Sequence, residues 1–101
     1  MTVVHEPHVA WDGARAIVRA AGSPHCERFA AHVLSELGSE YYGRFADTRQ
    51  RLLTALVETG QDRHAAEVEA GKWRVRLDDL LRARPELIRA VRDLTLEAVD
   101  L

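Results

Sequence analysis

Apolar side chains recur at intervals of three and four residues along most of the chain, and this spacing is the strongest constraint on its fold. Such spacing places apolar residues on one face of an α-helix, whereas a half-buried strand requires strict alternation. Three glycine-containing breaks interrupt the pattern, at residues 22–24, 38–39 and 60–62. Glycine adopts the left-handed conformation that ends a helix, and a following Ser or Asp can cap the next one. The breaks therefore predict where one helix ends and another begins.

The pattern predicts five helices, at about residues 7–21, 24–37, 40–59, 63–83 and 85–99. Pro24 and Pro85 fit the first turns of the second and fifth helices, where a proline is tolerated. The third helix has the widest apolar face, which predicts that it is the central one. Connections of about two to four residues make sequential neighbours antiparallel. We therefore expect an all-α fold, a compact bundle of four to five helices in one domain, with residues 1–6 as a loose N-terminal arm.

The fourth segment also has features that fit other structures. Gly71 costs about 1 kcal/mol relative to alanine inside a helix, so the segment can break there into two shorter helices. Residues 72–77 alternate between polar and apolar, which is the spacing of a strand. We favour one continuous helix because a seven-residue apolar rhythm spans the segment and only residues 2–4 offer a partner strand.

The composition excludes several classes of protein. One cysteine allows neither an internal disulfide nor a cysteine-based zinc site, which indicates a reducing compartment. The first residues lack the basic and apolar regions of a signal peptide, and no apolar run approaches about 18 residues. We therefore expect a cytoplasmic protein that does not bind a membrane. A net charge of −2 argues against a broad electrostatic surface for nucleic acid.

The sequence contains no clear catalytic or metal-binding pattern. Cys26 lies near the start of the second helix, a position typical of reactive cysteines, but it also begins the apolar stripe of that helix. His32 and Glu36 can share a helix face, yet a metal site needs three or more converging ligands. We predict no enzymatic activity, no cofactor and no metal; a redox protein using Cys26 is the remaining enzymatic alternative.

Two features of the sequence bear on a nucleic-acid-binding function. Gly38 and Ser39 lie between two helices, as in a helix-turn-helix, but Arg44 and Asp47 occupy positions where that motif requires apolar residues. The arginines of residues 72–92 are interrupted by acidic residues, which is typical of a solvated helix surface. A small DNA-binding regulator or antitoxin is therefore the alternative, and nucleic acid is not the expected partner.

The leading hypothesis is a non-enzymatic helical module that binds another protein or a second copy of itself through its fourth and fifth helices. Aromatic side chains near arginines, and a last helix with apolar residues on most sides, are typical of binding surfaces. The same residues can instead serve the core of a small bundle. The candidate interface consists of Tyr41, Tyr42, Trp73, Arg76, Leu87, Ile88, Val91 and Leu94.

Overall fold

The computed structural model describes residues 7–60 and 63–101, and these form an all-helical bundle without a strand. The helices are α1 (Pro7–Ala21), α2 (Glu27–Leu37), α3 (Ser39–Thr59), α4 (Arg63–Ala83) and α5 (Ile88–Ala98). Neighbouring helices pack in antiparallel fashion, as expected from their short connections. The predicted N-terminal arm and residues 61–62 lie outside the described residues.

The turn between α1 and α2 differs from the sequence prediction. Pro24 lies in this turn and not in the helix, because the main chain bends at Ser23, whose hydroxyl oxygen accepts a hydrogen bond from the His25 amide (3.1 Å). Arg49 of α3 stabilises the bend by donating to the carbonyl oxygens of Ala21 and Ser23, both at 2.8 Å. Gly22 does not adopt a left-handed conformation, so the turn depends on these side chains.

The other two glycine breaks have a positive φ, and of the two Gly60 alone has the predicted left-handed helical conformation. Gly60 ends α3 with φ of 71°, and Gly38 separates α2 from α3 with φ of 102°. Ser39 was expected to cap α3 but is its first residue, and its side chain makes no capping hydrogen bond. One glycine thus ends one helix and precedes the next.

The fourth segment forms one unbroken helix through Gly71, and residues 72–77 are helical as predicted. Pro85 begins a single 3-10 turn (Pro85–Leu87), and α5 follows it. The turn forms because Arg84, the residue before the proline, has an extended backbone that ends α4.

The central helix is α1 and not α3. It packs against α3, α4 and α5, and its small residues allow close approach. A Cβ atom at Gly13 would lie 2.7 Å from Val91 of α5 and 3.0 Å from Leu77 of α4, so a larger residue cannot be accommodated without movement. The prediction was wrong because the width of an apolar face does not reveal how closely a helix can approach its neighbours.

The helices have unequal lengths, and this creates a projection at one end. The structure measures 49 × 24 × 24 Å. Helices α3 and α4 each have 21 residues, whereas α1 has 15 and α2 has 11. The last buried residue of α3 is Leu52 and the first of α4 is Glu69; Ala65 and Ala66 still pack against the edge of the core, and the helix ends beyond them project from it. Leu56 and Val57 remain exposed there.

Candidate protein-binding surface

Three of the eight predicted interface residues lie in the core of the chain. Trp73, Val91 and Leu94 are almost completely inaccessible to solvent. Trp73 is the largest fully buried side chain, and Val91 and Leu94 form the apolar seam that packs α5 against the other helices. The sequence identified these residues correctly as apolar contact residues, but the residues that they pack against belong to the same chain.

The remaining five are at least partly accessible to solvent. Tyr41 and Arg76 are partly exposed and cover the ring of Trp73, with centroid distances of 6.3 Å and 5.1 Å respectively. Tyr42 is exposed and lines a shallow groove between α2 and α3. The partly buried side chains at the junction of α4 and α5 are Leu87 and Ile88.

A buried polar network joins α3 to α4 beside this aromatic group. The Thr48 hydroxyl donates to Glu69 Oε1 (2.8 Å) and accepts a hydrogen bond from Trp73 Nε1 (2.8 Å). Thr48 and Trp73 are fully buried, and Glu69 is 2% exposed. The hydroxyl is thus both a donor and an acceptor within the core.

Two cations complete the network around Glu69. Arg51 lies 3.2 Å from its Oε1 and Lys72 lies 3.2 Å from its Oε2. Burial by itself raises the pKa of Glu69, but the hydrogen bonds from Thr48 and Lys72, with the charges of Lys72 and Arg51, outweigh it and lower that pKa. The carboxylate is therefore charged and fully partnered, which suits a structural role.

The exposed side of α1 presents a different kind of surface. Trp11, Arg15 and Arg19 follow one another at intervals of four residues and point away from the core. The guanidinium carbons of Arg15 and of Arg74 from α4 lie 5.2 Å and 5.1 Å from the centroid of the Trp11 ring. These distances are typical of cation–π contacts, which hold the indole in place although it is 37% exposed.

A groove of about 600 Å³ lies between α1 and the first half of α4, and we call it the α1–α4 groove. Its floor is formed by small apolar residues, including Val18, Ala66 and Ala70, with Trp11 at one end. Its charged lining residues are three arginines and one carboxylate: Arg15, Arg19, Arg63 and Glu67. Among the described residues, neither Arg19 nor Arg63 forms an ion pair.

Helix α5 extends this surface on the other side of α1. Leu96 and Val99 are exposed on α5, at 69% and 63% of their possible area. Between α5 and α1 lies a smaller groove of about 210 Å³ whose floor includes Ala16 and Ala98. We define the α1 face as this whole surface: the exposed side of α1, the α1–α4 groove, and the exposed Leu96 and Val99.

Sequence reasoning did not find the α1 face, although one signal was present. Ala10, Ala14 and Ile17 follow the apolar spacing of three and four residues along α1, and all three are buried. Trp11, Arg15 and Arg19 form a second stripe on the same helix. The signal in the sequence was this tryptophan, which is followed by arginines four and eight residues later. Arg63 and Arg74 lie far away along the chain, so their contribution required the structure.

The positions of the histidines, the cysteine and the carboxylates bear on metal binding and thiol chemistry. The described part of the chain contains no group of three or more His, Cys, Asp or Glu side chains that could hold a metal ion. His32 lies 2.5 Å from Glu97 of α5 and does not pair with Glu36. Cys26 is buried next to the start of α2. No helix among the described residues has the length and apolarity needed to span a membrane.

Comparison with known proteins finds no family model, no curated protein and no solved structure that matches this chain significantly.

Proposed function

We propose that this chain is a non-enzymatic helical module that binds another protein through its α1 face. The observation that carries the proposal is the α1–α4 groove, which combines an exposed tryptophan, an apolar floor and arginines without ion-pair partners among the described residues. Tryptophan and arginine are the residues most enriched at the centres of protein interfaces.

The shape of the surface supports the same function. The α1–α4 groove is open along its length and has an apolar floor, which suits a helix or extended segment from a partner. The exposed Leu96 and Val99 add apolar area beside it, on the fifth helix that the sequence had implicated. Together these features provide an apolar centre with a charged rim, the usual anatomy of a protein interface.

Photo-crosslinking from defined positions tests this proposal. A photoreactive phenylalanine derivative replaces Arg15 on the α1 face in one variant and Glu58 at the exposed end of α3 in a matched control. The full chain is expressed in its native cells and irradiated, and the products are identified by mass spectrometry. We expect a defined product with one other protein from position 15 only.

The other outcomes contradict the proposal. Identical products from both positions, or no product from position 15, show that the α1 face does not select a partner. A product of twice the mass of the chain identifies a second copy as the occupant, and duplex DNA as the crosslinked species establishes the regulator hypothesis in its place.

A further inference from the structure

We infer that the α1–α4 groove recognises an acidic amphipathic helix of the partner, with its apolar side on the groove floor and its carboxylates against the arginines. The inference rests on the proposed function and adds the chemistry of the partner. It follows from the charge of the groove, its floor and its length.

The charge of the groove is opposite to that of the chain as a whole. The whole sequence has a net charge of −2, whereas three arginines and one glutamate line the groove. Arg19 and Arg63 make no ion pair with the described residues, so their guanidinium groups keep their capacity to bind carboxylates. Arginine presents its donors in a planar fork that fits a carboxylate at two points. Electrostatic complementarity therefore selects an acidic segment.

The floor of the groove requires that this segment also has an apolar side. Val18, Ala66 and Ala70 have short side chains and leave room for larger apolar residues from a partner. From Trp11 to Arg19 the exposed stripe of α1 rises about 12 Å, or a little more than two turns. A partner helix of about three turns can therefore contact the floor and both ends of this stripe.

Trp11 gives one end of the groove a fixed aromatic surface. Its ring has Arg15 and Arg74 against it, and Arg74 is itself held by Asp78 at 3.5 Å. An indole held in this way loses little conformational freedom on binding, so a leucine or aromatic residue of the partner can pack on its exposed edge at low entropic cost.

Nucleic acid fits the same groove less well. Duplex DNA carries charge along its whole length and requires a continuous basic track, whereas Glu67 interrupts this groove and Asp12 lies beside Arg15 on α1. An apolar floor also contributes nothing to binding a phosphate backbone. These features favour a peptide carboxylate over a phosphate.

The two tryptophans allow a direct test by NMR spectroscopy. The chain contains only Trp11 and Trp73, so its ¹⁵N spectrum has two indole resonances, one from the groove and one from the core. The ligand is a designed helical peptide of about 18 residues, or five turns, with leucines on one side and glutamates on the other. A second peptide has lysine in place of every glutamate. We expect the acidic peptide to shift the Trp11 indole resonance in a saturable manner and to leave that of Trp73 in place.

Two charge-reversal variants provide the matched comparison. Arg19→Glu changes the groove, whereas Arg28→Glu makes the same change at an exposed position of α2. We expect the first to weaken binding of the acidic peptide about tenfold and the second by less than about twofold. Raising the salt concentration should weaken binding to the original chain as well.

Several results overturn the inference. The inference is wrong if the acidic and lysine peptides bind equally well or if the two variants have equal effects. It is also wrong if the acidic peptide does not shift the Trp11 resonance. Saturable binding of a short DNA duplex with higher affinity than the acidic peptide assigns the groove to nucleic acid. If crosslinking from position 15 captures a partner while the acidic peptide fails, the inference is wrong and the proposed function stands.

Discussion

The Thr48 hydroxyl connects Glu69 and Trp73, and its removal should destabilise the fold without changing its shape. Thr48→Val replaces the hydroxyl by a methyl group of similar size. The Trp73 N–H, which donates to Thr48 at 2.8 Å, is then left without an acceptor inside a fully buried site. An unsatisfied buried donor costs about 1 to 3 kcal/mol. Glu69 also loses one hydrogen bond but keeps Arg51 and Lys72.

We therefore expect Thr48→Val to lower the free energy of unfolding by about 2 to 4 kcal/mol, because both hydrogen bonds are lost. For a domain of this size the melting temperature should fall by roughly 10 to 20 °C. Urea titration followed by far-ultraviolet circular dichroism measures the change, and the slope of the transition should stay the same. The matched control is Thr54→Val on the exposed side of α3, for which we expect a change within about 0.5 kcal/mol.

A conservative variant distinguishes the contribution of the hydrogen bonds to the free energy of unfolding from that of side-chain packing. Thr48→Ser keeps the hydroxyl and removes one methyl group, so it should cost about 1 kcal/mol. Equal losses for Thr48→Val and Thr48→Ser show that the methyl group and not the hydroxyl stabilises the site. A Thr48→Val loss no larger than that of Thr54→Val also refutes the reasoning.

Three further variants test the pH dependence, the packing and the turn. The hydrogen bonds and cations around Glu69 outweigh its burial and lower its pKa below the ordinary value of 4.5. The charged carboxylate therefore contributes to the free energy of unfolding above pH 4.5, and this contribution is lost as pH falls through the lowered pKa. Glu69→Gln should flatten the decline in stability between about pH 5 and pH 3 in urea titrations, and exposed Glu58→Gln should leave that decline unchanged. Gly13→Ala should lose about 1 to 2 kcal/mol from its close contacts with Val91 and Leu77, whereas Gly43→Ala, with no atom within 4 Å of the added Cβ, should gain about 0.5 to 1 kcal/mol; melting curves that move in the same direction contradict this. Arg49→Met should cost about 1 to 3 kcal/mol by removing two hydrogen bonds to the turn after α1, and Arg28→Met should cost less than about 0.5 kcal/mol in the same urea assay.

Local periodicity predicts most of the helices, because the information lies within each segment. The bounds of α1 and α4 follow from the apolar spacing and from the flanking breaks. The start of α2 does not, because the turn before it is held by Arg49, which lies more than twenty residues away along the chain. Such a contact leaves no periodic trace in the sequence.

The candidate surface was less predictable than the fold. An aromatic residue near arginines indicated binding at Trp73, but the structure places that side chain in the core with a hydrogen-bond acceptor 25 residues away, on α3. The exposed tryptophan is Trp11, and its arginine neighbours come from both α1 and α4. Composition suggests which residue types bind partners, but their exposure depends on how the helices pack.

The buried network and the α1–α4 groove are physically connected through α4. Glu69 is the first buried residue of this helix, and Arg63, Ala66 and Glu67 of the groove all precede it. Ala65 and Ala66 in this first part of α4 pack at the edge of the core, and the hydrogen bond between Glu69 and Thr48 attaches the next turn to α3. Loss of that attachment should allow local opening at a lower free energy than global unfolding.

Hydrogen exchange of the Thr48→Val variant tests this connection at a pH where the variant is fully folded. We expect amide protection in residues 63–69 to fall further than protection in α5, because the hydrogen bonds and ion pairs of the network join α3 and α4 and involve no residue of α5. Gly13→Ala, which perturbs the contacts of α1 with Leu77 and Val91, provides a variant of reduced stability with the network intact. The same loss of protection in α5 and in residues 63–69 of Thr48→Val shows that the network stabilises the fold only globally and does not position the wall of the groove.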